Sequence, residues 1–119
     1  MKPEGDAPRV TPSSRATVAR TIQEMVSRIV AQFQPEKVVL FGSHARGTAG
    51  PDSDVDLLVV MPVTGSRSEA IIEIRTALHG MGVGKDVVVV TPDEFEHDLP
   101  GTIVRHAHRE GVLLYERAG

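Results

Sequence analysis

Three short runs of the chain leave little choice of fold. Lys37–Phe41 (KVVLF), Asp54–Met61 (DVDLLVVM) and Lys85–Val90 (KDVVVV) are of strand length, rich in β-branched residues, and apolar at consecutive positions after a charged entry. A half-exposed strand would alternate apolar and polar residues; these runs read as buried on both faces, so helices must cover their sheet. The chain supplies them. From Arg15, residues Val18, Ile22, Met25, Val26, Ile29, Val30 and Phe33 recur at helical spacing, with Ser13 or Ser14 as N-cap and Pro35 as stop. Ser66 and Glu69 have the spacing of a capping box, and Ala70, Ile71, Ile74, Ala77, Leu78 and Met81 continue the period until Gly80, Gly82 and Gly84 end it. Thr91-Pro92-Asp93-Glu94 supplies an N-cap, a proline in the first turn and a second capping box for a short helix. Pro100–Glu110 carries Ile103, Val104 and Ala107 on one helical face and meets Gly111, after which Val112–Tyr115 (VLLY) reads as an edge strand. The expected fold is an α/β domain, a small mixed β-sheet flanked by helices, without internal repeats.

Residues 1–14 hold three prolines, a glycine and scattered charges, a composition that cannot bury enough surface to order itself, so they are expected to be a flexible tail before a domain spanning 15–119. With 119 residues the chain has the size of one domain. A net charge of -3 and 24% charged residues lack the basic excess of a dedicated nucleic-acid binder. The aromatic residues Phe33, Phe41, Phe95 and Tyr115 are too few and too core-like for a base-stacking platform. Without cysteine there are no disulfides or thiolate metal sites, and no segment has the apolar length of a membrane span or a signal-peptide core. A cytoplasmic location is expected.

The chemistry concentrates in Phe41–Val60 (FGSHARGTAGPDSDVDLLVV), where one strand ends in a small-residue loop and the next opens with two aspartates. Side chains alternate along a strand, so Asp54 and Asp56 project to one side about 6.6 Å apart. Asp86 opens the third run in the same way, and if that strand lies beside Asp54–Met61 its carboxylate joins the pair. Like charges at about 7 Å cost roughly 2 kcal/mol per pair at an effective dielectric near 20, so such a cluster makes sense with a cation in it. All-oxygen ligands with room for water point to Mg²⁺ or Mn²⁺. Gly42 lets a phosphate approach the backbone, Ser43 offers a hydroxyl and N–H groups at a helix start, and Arg46 can turn a guanidinium to the same anion. Together these describe a site for a metal-bound nucleotide and two-metal phosphoryl or nucleotidyl transfer. His106 and His108, two apart on a helix, diverge too far to chelate one ion, and His44 is expected to be a simple exposed loop residue.

Gly42–Gly47 (GSHARG) followed by Ser53–Val59 (SDVDLLV) resembles the GS…DxD motif of the DNA polymerase β nucleotidyltransferase superfamily, in particular its minimal (MNT) branch. The likeness runs from about Thr17 to Glu116 and includes Asp86. It implies the nucleotidyltransferase fold, with Asp54 and Asp56 binding two Mg²⁺ ions and Asp86 helping to bind the catalytic ion and activate the acceptor. Gly42 and Ser43 would hold the triphosphate of ATP or another NTP. It further implies that the chain is the antitoxin of a HEPN/MNT pair, moving AMP onto a hydroxyl of a helical HEPN-type toxin, since no acceptor domain follows the third carboxylate. Two other readings stand beside it: a non-catalytic module that binds nucleotide or occludes its partner, and a small-molecule nucleotidyltransferase acting as a homo-oligomer.

Overall fold

The computed structural model describes residues 11–50, 52–97 and 102–118, with side chains from Thr17 onward. The order is α1 (Thr11–Phe33), β1 (Lys37–Phe41), α2 (Ser43–Arg46), β2 (Val55–Val60), α3 (Arg67–Ala77), β3 (Lys85–Val90), α4 (Pro92–His97), α5 (Ile103–Glu110) and β4 (Val112–Glu116). Every element expected from the sequence is present, and the loop after β1 contains one short helix.

The four strands form one sheet in the order β3-β2-β1-β4. β1 pairs antiparallel with both β2 and β4, while β2 and β3, joined through α3, run parallel. The sheet is therefore mixed, as expected. Alternation along the strands divides the core in two. Val38, Leu40, Val55, Leu57, Val59, Val87 and Val89 meet Ile22, Met25 and Ile29 of α1 and Ile74 of α3 on one face. Val39, Phe41, Leu58, Val60 and Val90 meet Val104 and Ala107 of α5 on the other, with Phe95 of α4 packed alongside. Burying a single such aliphatic side chain contributes about 1.5–3 kcal/mol, so these two layers dominate the fold's stability.

Two boundaries differ from the sequence reading. α1 begins at Thr11 rather than Arg15, so Ser13 and Ser14 lie inside it instead of capping it, and the remainder of the expected tail, 1–10, lies outside the described residues. Pro12 is accommodated because the first-turn N–H groups of a helix have no intrahelical acceptor, so its missing donor costs nothing there. α3 stops at Ala77 rather than Met81; Gly80 and Gly82 then take positive φ angles of 82° and 81°. Of the expected Pro100–Glu110 helix, Ile103–Glu110 is observed and 98–101 lie outside the described residues.

Of the two expected capping boxes, the first shows its hydroxyl half and the second both halves. The Ser66 hydroxyl accepts from the Glu69 N–H at 3.3 Å, and Thr91 and Glu94 cap each other reciprocally, at 3.1 and 2.9 Å. Glu94 also receives both arms of the Arg67 guanidinium, each at 2.8 Å, while Arg67 donates to the Val89 carbonyl at 3.1 Å. This pair clamps the start of α3 to the start of α4. The guanidinium and the Thr91 N–H hold the Glu94 carboxyl down at about 2. A depressed carboxyl stabilises the fold above its ordinary range, and that contribution is lost as pH falls from about 4.5 through about 2. Because both partners are largely exposed, Arg67→Ala is expected to cost only about 0.5–1 kcal/mol at pH 7, with the gap to wild type closing below pH 4.5. Urea unfolding across pH checks it; a gap independent of pH would assign the cost to lost packing.

Candidate active site

The site lies where β1 ends and β2 and β3 begin. Phe41 pairs with Asp56, and Asp56 pairs in turn with Asp86, so the two carboxylates are neighbours across adjacent parallel strands. Asp54 lies two residues before Asp56, just outside β2, where the Val55 N–H donates to the Gly84 carbonyl at 2.9 Å. The sequence reading made Asp86 conditional on β3 lying beside β2, and it does. Even-numbered residues of β2 face the α5 side of the sheet, so Asp54 and Asp56 share the face that buries Leu58 and Val60. The first half of that face is thus a polar ledge and the rest is core.

The electrostatics bear out the crowding. Burial, then the negative charges of Asp86 and Asp54, push the Asp56 carboxyl above its usual range, while His44 and Arg46 pull it back. Asp86 has a cation of its own: Arg75, in the last turn of α3, stands 3.7 Å from it.

Glycine stands on both sides of the ledge. Gly42 has φ 77° and ψ -156°, a backbone region open essentially to glycine alone, and a Cβ there would overlap Asp56 Oδ2. Gly84 has no such backbone angle, but a Cβ on it would overlap Asp54 Oδ1. The two carboxylates therefore lie against bare backbone. From Gly42 the chain turns directly into α2: the Ala45 and Arg46 N–H groups bond to the Gly42 carbonyl, each at 3.1 Å, and Gly47 closes the helix in the left-handed conformation. Ser43 is thereby presented just past the end of β1, next in the chain to the glycine that lies against Asp56.

All six residues singled out in the sequence, Gly42, Ser43, Arg46, Asp54, Asp56 and Asp86, gather at this edge of the sheet. Arg46 pairs with Glu110, at 3.5 Å. His44 is not simply an exposed loop residue, since it is half-buried, its Nε2 contacts the Ser53 carbonyl at 3.3 Å, and it acts electrostatically on Asp56. Arg75, Gly84 and Glu110 escaped the sequence reading. Gly84 has a local signal, standing two residues before the acidic entry of β3; the other two depend on long-range packing.

Among the described residues no three acidic or histidine side chains close on a single point as a ready-made metal cage. The donor set nevertheless fits a hard divalent cation: three carboxylates share one strand-end ledge, Asp54 and Asp86 are exposed, and the negative charges of Asp54 and Asp86 bear on the partly buried Asp56.

A mixed sheet with carboxylates at the starts of two parallel strands, opposite a Gly-Ser turn, defines a class of phosphoryl-handling proteins, and sequence comparison specifies it. The chain belongs to the nucleotidyltransferase domain family, whose sequence model matches residues 22–114. Within that family it is a minimal nucleotidyltransferase: a candidate minimal nucleotidyltransferase of known structure is 31% identical, with a TM-score of 0.54, the match covering 80% of this chain and 91% of that one. A candidate protein adenylyltransferase of Methanocaldococcus jannaschii is 29% identical over 99 residues, 81% of this chain and 96% of its own. A candidate nucleotidyltransferase structure from Sulfolobus solfataricus superposes with a TM-score of 0.65 at 20% identity, covering 94% of both chains. A toxin–antitoxin structure with AMP-PNP superposes at 0.51, with 20% identity, covering 80% of this chain and 73% of that one. These last two likenesses concern the fold.

Proposed function

We propose that this nucleotidyltransferase moves AMP from ATP onto a hydroxyl of a partner protein, and that the partner is a HEPN-type helical toxin which the modification silences. The observation that carries the reading is the in-register pairing of Asp56 with Asp86, with Asp56 lying against Gly42 at the head of the Gly-Ser turn. One end of the ledge then suits a metal-bound triphosphate and the other an incoming hydroxyl. The adenylyltransferase relative and the toxin–antitoxin neighbour with AMP-PNP support the choice of nucleotide and of a protein acceptor.

In this reading Asp54 and Asp56 hold Mg²⁺, two ions in all with Asp86. The metal would neutralise the triphosphate and lower the pKa of the acceptor hydroxyl. The chain's own residues do the rest. Gly42 and Ser43 seat the phosphates through bare backbone and a hydroxyl, and Arg46 adds positive charge beside them. Asp86, largely exposed at the mouth, orients the acceptor hydroxyl and draws off its proton as its oxygen bonds to the α-phosphorus. The bond from that phosphorus to the β-bridging oxygen breaks, and pyrophosphate leaves with the electron pair. Orientation of the hydroxyl for in-line attack supplies much of the rate, so the chain alone is expected to be slow.

The test is the intact mass of the HEPN-type protein from the same organism after incubation with this chain, Mg²⁺ and ATP. A gain of one or more AMP units, absent with Asp54→Asn, is expected. Neutralisation of the partner by wild type and Asp54→Asn alike, with no mass gain, would make the chain an occluding module. Rapid transfer to a small molecule without any partner would place the acceptor in another class.

A further inference from the structure

Leu40 pairs with Val112 across antiparallel β1 and β4, so the chain just beyond that pair carries Glu110, the last residue of α5, to the side of the Gly42-Ser43 turn. Its place is fixed from beneath. Val104 and Ala107 anchor α5 in the core, and the Gly111 N–H donates to the Ala107 carbonyl at 2.8 Å. A Cβ on Gly111 would stand 2.6 Å from Val39 Cγ1, so the turn from α5 into β4 is pressed directly on β1. From this support Glu110 Oε1 reaches Arg46 at 3.5 Å and His106 Nε2 at 3.6 Å.

Arg46 needs such a support. It ends a four-residue helix, Gly47 follows in the left-handed conformation, and the side chain is long and exposed. A guanidinium carries five donors in a rigid fork, so one nitrogen can be held by a carboxylate while the others face a second anion. We propose that Glu110 is the positioning residue of the triphosphate site, holding Arg46 by one edge so that its remaining donors point to phosphate oxygens at Gly42 and Ser43. This rests on the reading of Arg46 as a phosphate ligand, and it gives α5 a part in nucleotide affinity although α5 contributes nothing to the carboxylate ledge.

The test is a double-mutant cycle on the affinity for ATP with Mg²⁺, by calorimetry at about 0.15 M salt, where distant charges are screened. Glu110→Gln is expected to weaken binding about two- to fivefold, the range of an exposed ion pair, with the melting temperature nearly unchanged. Arg46→Ala should weaken it about tenfold or more, and adding Glu110→Gln to Arg46→Ala should change nothing further. Unchanged affinity in Glu110→Gln, or losses that add in the double variant, would overturn the positioning role while leaving Arg46 as a ligand. Tighter binding by Glu110→Gln would overturn it too, making Glu110 a competitor for Arg46. No loss in Arg46→Ala would remove both statements together.

Discussion

Asp56→Asn is expected to lower nucleotidyl transfer about a hundredfold or more while raising the melting temperature of the metal-free protein at neutral pH. The two effects have one origin. Asp56 is the best-buried member of the carboxylate ledge, flanked by Phe41 and Gly42 on one side and Asp86 on the other. Burial and its neighbours' charges raise its proton affinity in the folded state. With a raised carboxyl the folded state binds more protons than the unfolded one, so stability falls as pH rises from the ordinary aspartate range through the elevated value. At pH 7 the whole of that cost is present, and asparagine, nearly the same in shape, removes it. The gain should shrink as pH is lowered through the carboxylate range.

Adding Mg²⁺ and ATP should reverse the order. Ligand at a hundred times its dissociation constant stabilises a protein that binds it by about 2.7 kcal/mol, and the variant would not share that gain. Thermal unfolding in EDTA and in Mg²⁺ with ATP, at pH 7 and at pH 5, checks each part. A variant less stable than wild type in EDTA would make Asp56 a structural residue. Wild-type transfer by the variant would remove it from the active site.

What the sequence revealed follows from how local each signal is. Each central strand is a contiguous apolar run, and α3 and α4 carry capping boxes within four residues, so those elements were readable without knowing the rest of the fold. The start of α1 was not, because Ser13 and Ser14 are good caps in isolation while nothing local announces that the helix begins at Thr11. Asp54, Asp56 and Asp86 were legible as neighbours because alternation along the run into β2 and the matching charged entry of β3 place them at one end of the sheet. The ion partners were not. Arg46 meets Glu110 only through the register of β4 on β1, and Arg75 meets Asp86 only through the packing of α3 beside β3. His44 was judged by its exposure in an isolated loop, although the loop folds back on Ser53 and partly covers it. Gly84 was read as a helix breaker, yet a side chain there would meet the carboxylate of Asp54, which only the pairing of β2 with β3 brings beside it.

Gly42 and Gly84 should therefore respond differently to the same added methyl group. At Gly42 the backbone itself excludes a side chain: φ 77° with ψ -156° costs any other residue about 1–3 kcal/mol, and the Cβ would stand 3.1 Å from the Asp56 carboxyl carbon, part of a half-buried side chain with little room to move. Gly42→Ala is expected to lose that much stability in urea unfolding, and to lose ATP affinity with it, because the turn that presents Ser43 must shift. At Gly84 the backbone is unstrained, and the overlap is with the tip of Asp54, an exposed side chain that can swing into solvent. Gly84→Ala should thus keep stability within about 0.5 kcal/mol of wild type, yet lower transfer about ten- to hundredfold, because a displaced carboxylate no longer meets its ligand. Stability and activity measured together separate the cases. Full transfer by a stable Gly84→Ala protein would show that the resting position of Asp54 is not its working position, and a Gly42→Ala protein as stable as wild type would show that the turn adapts to a side chain.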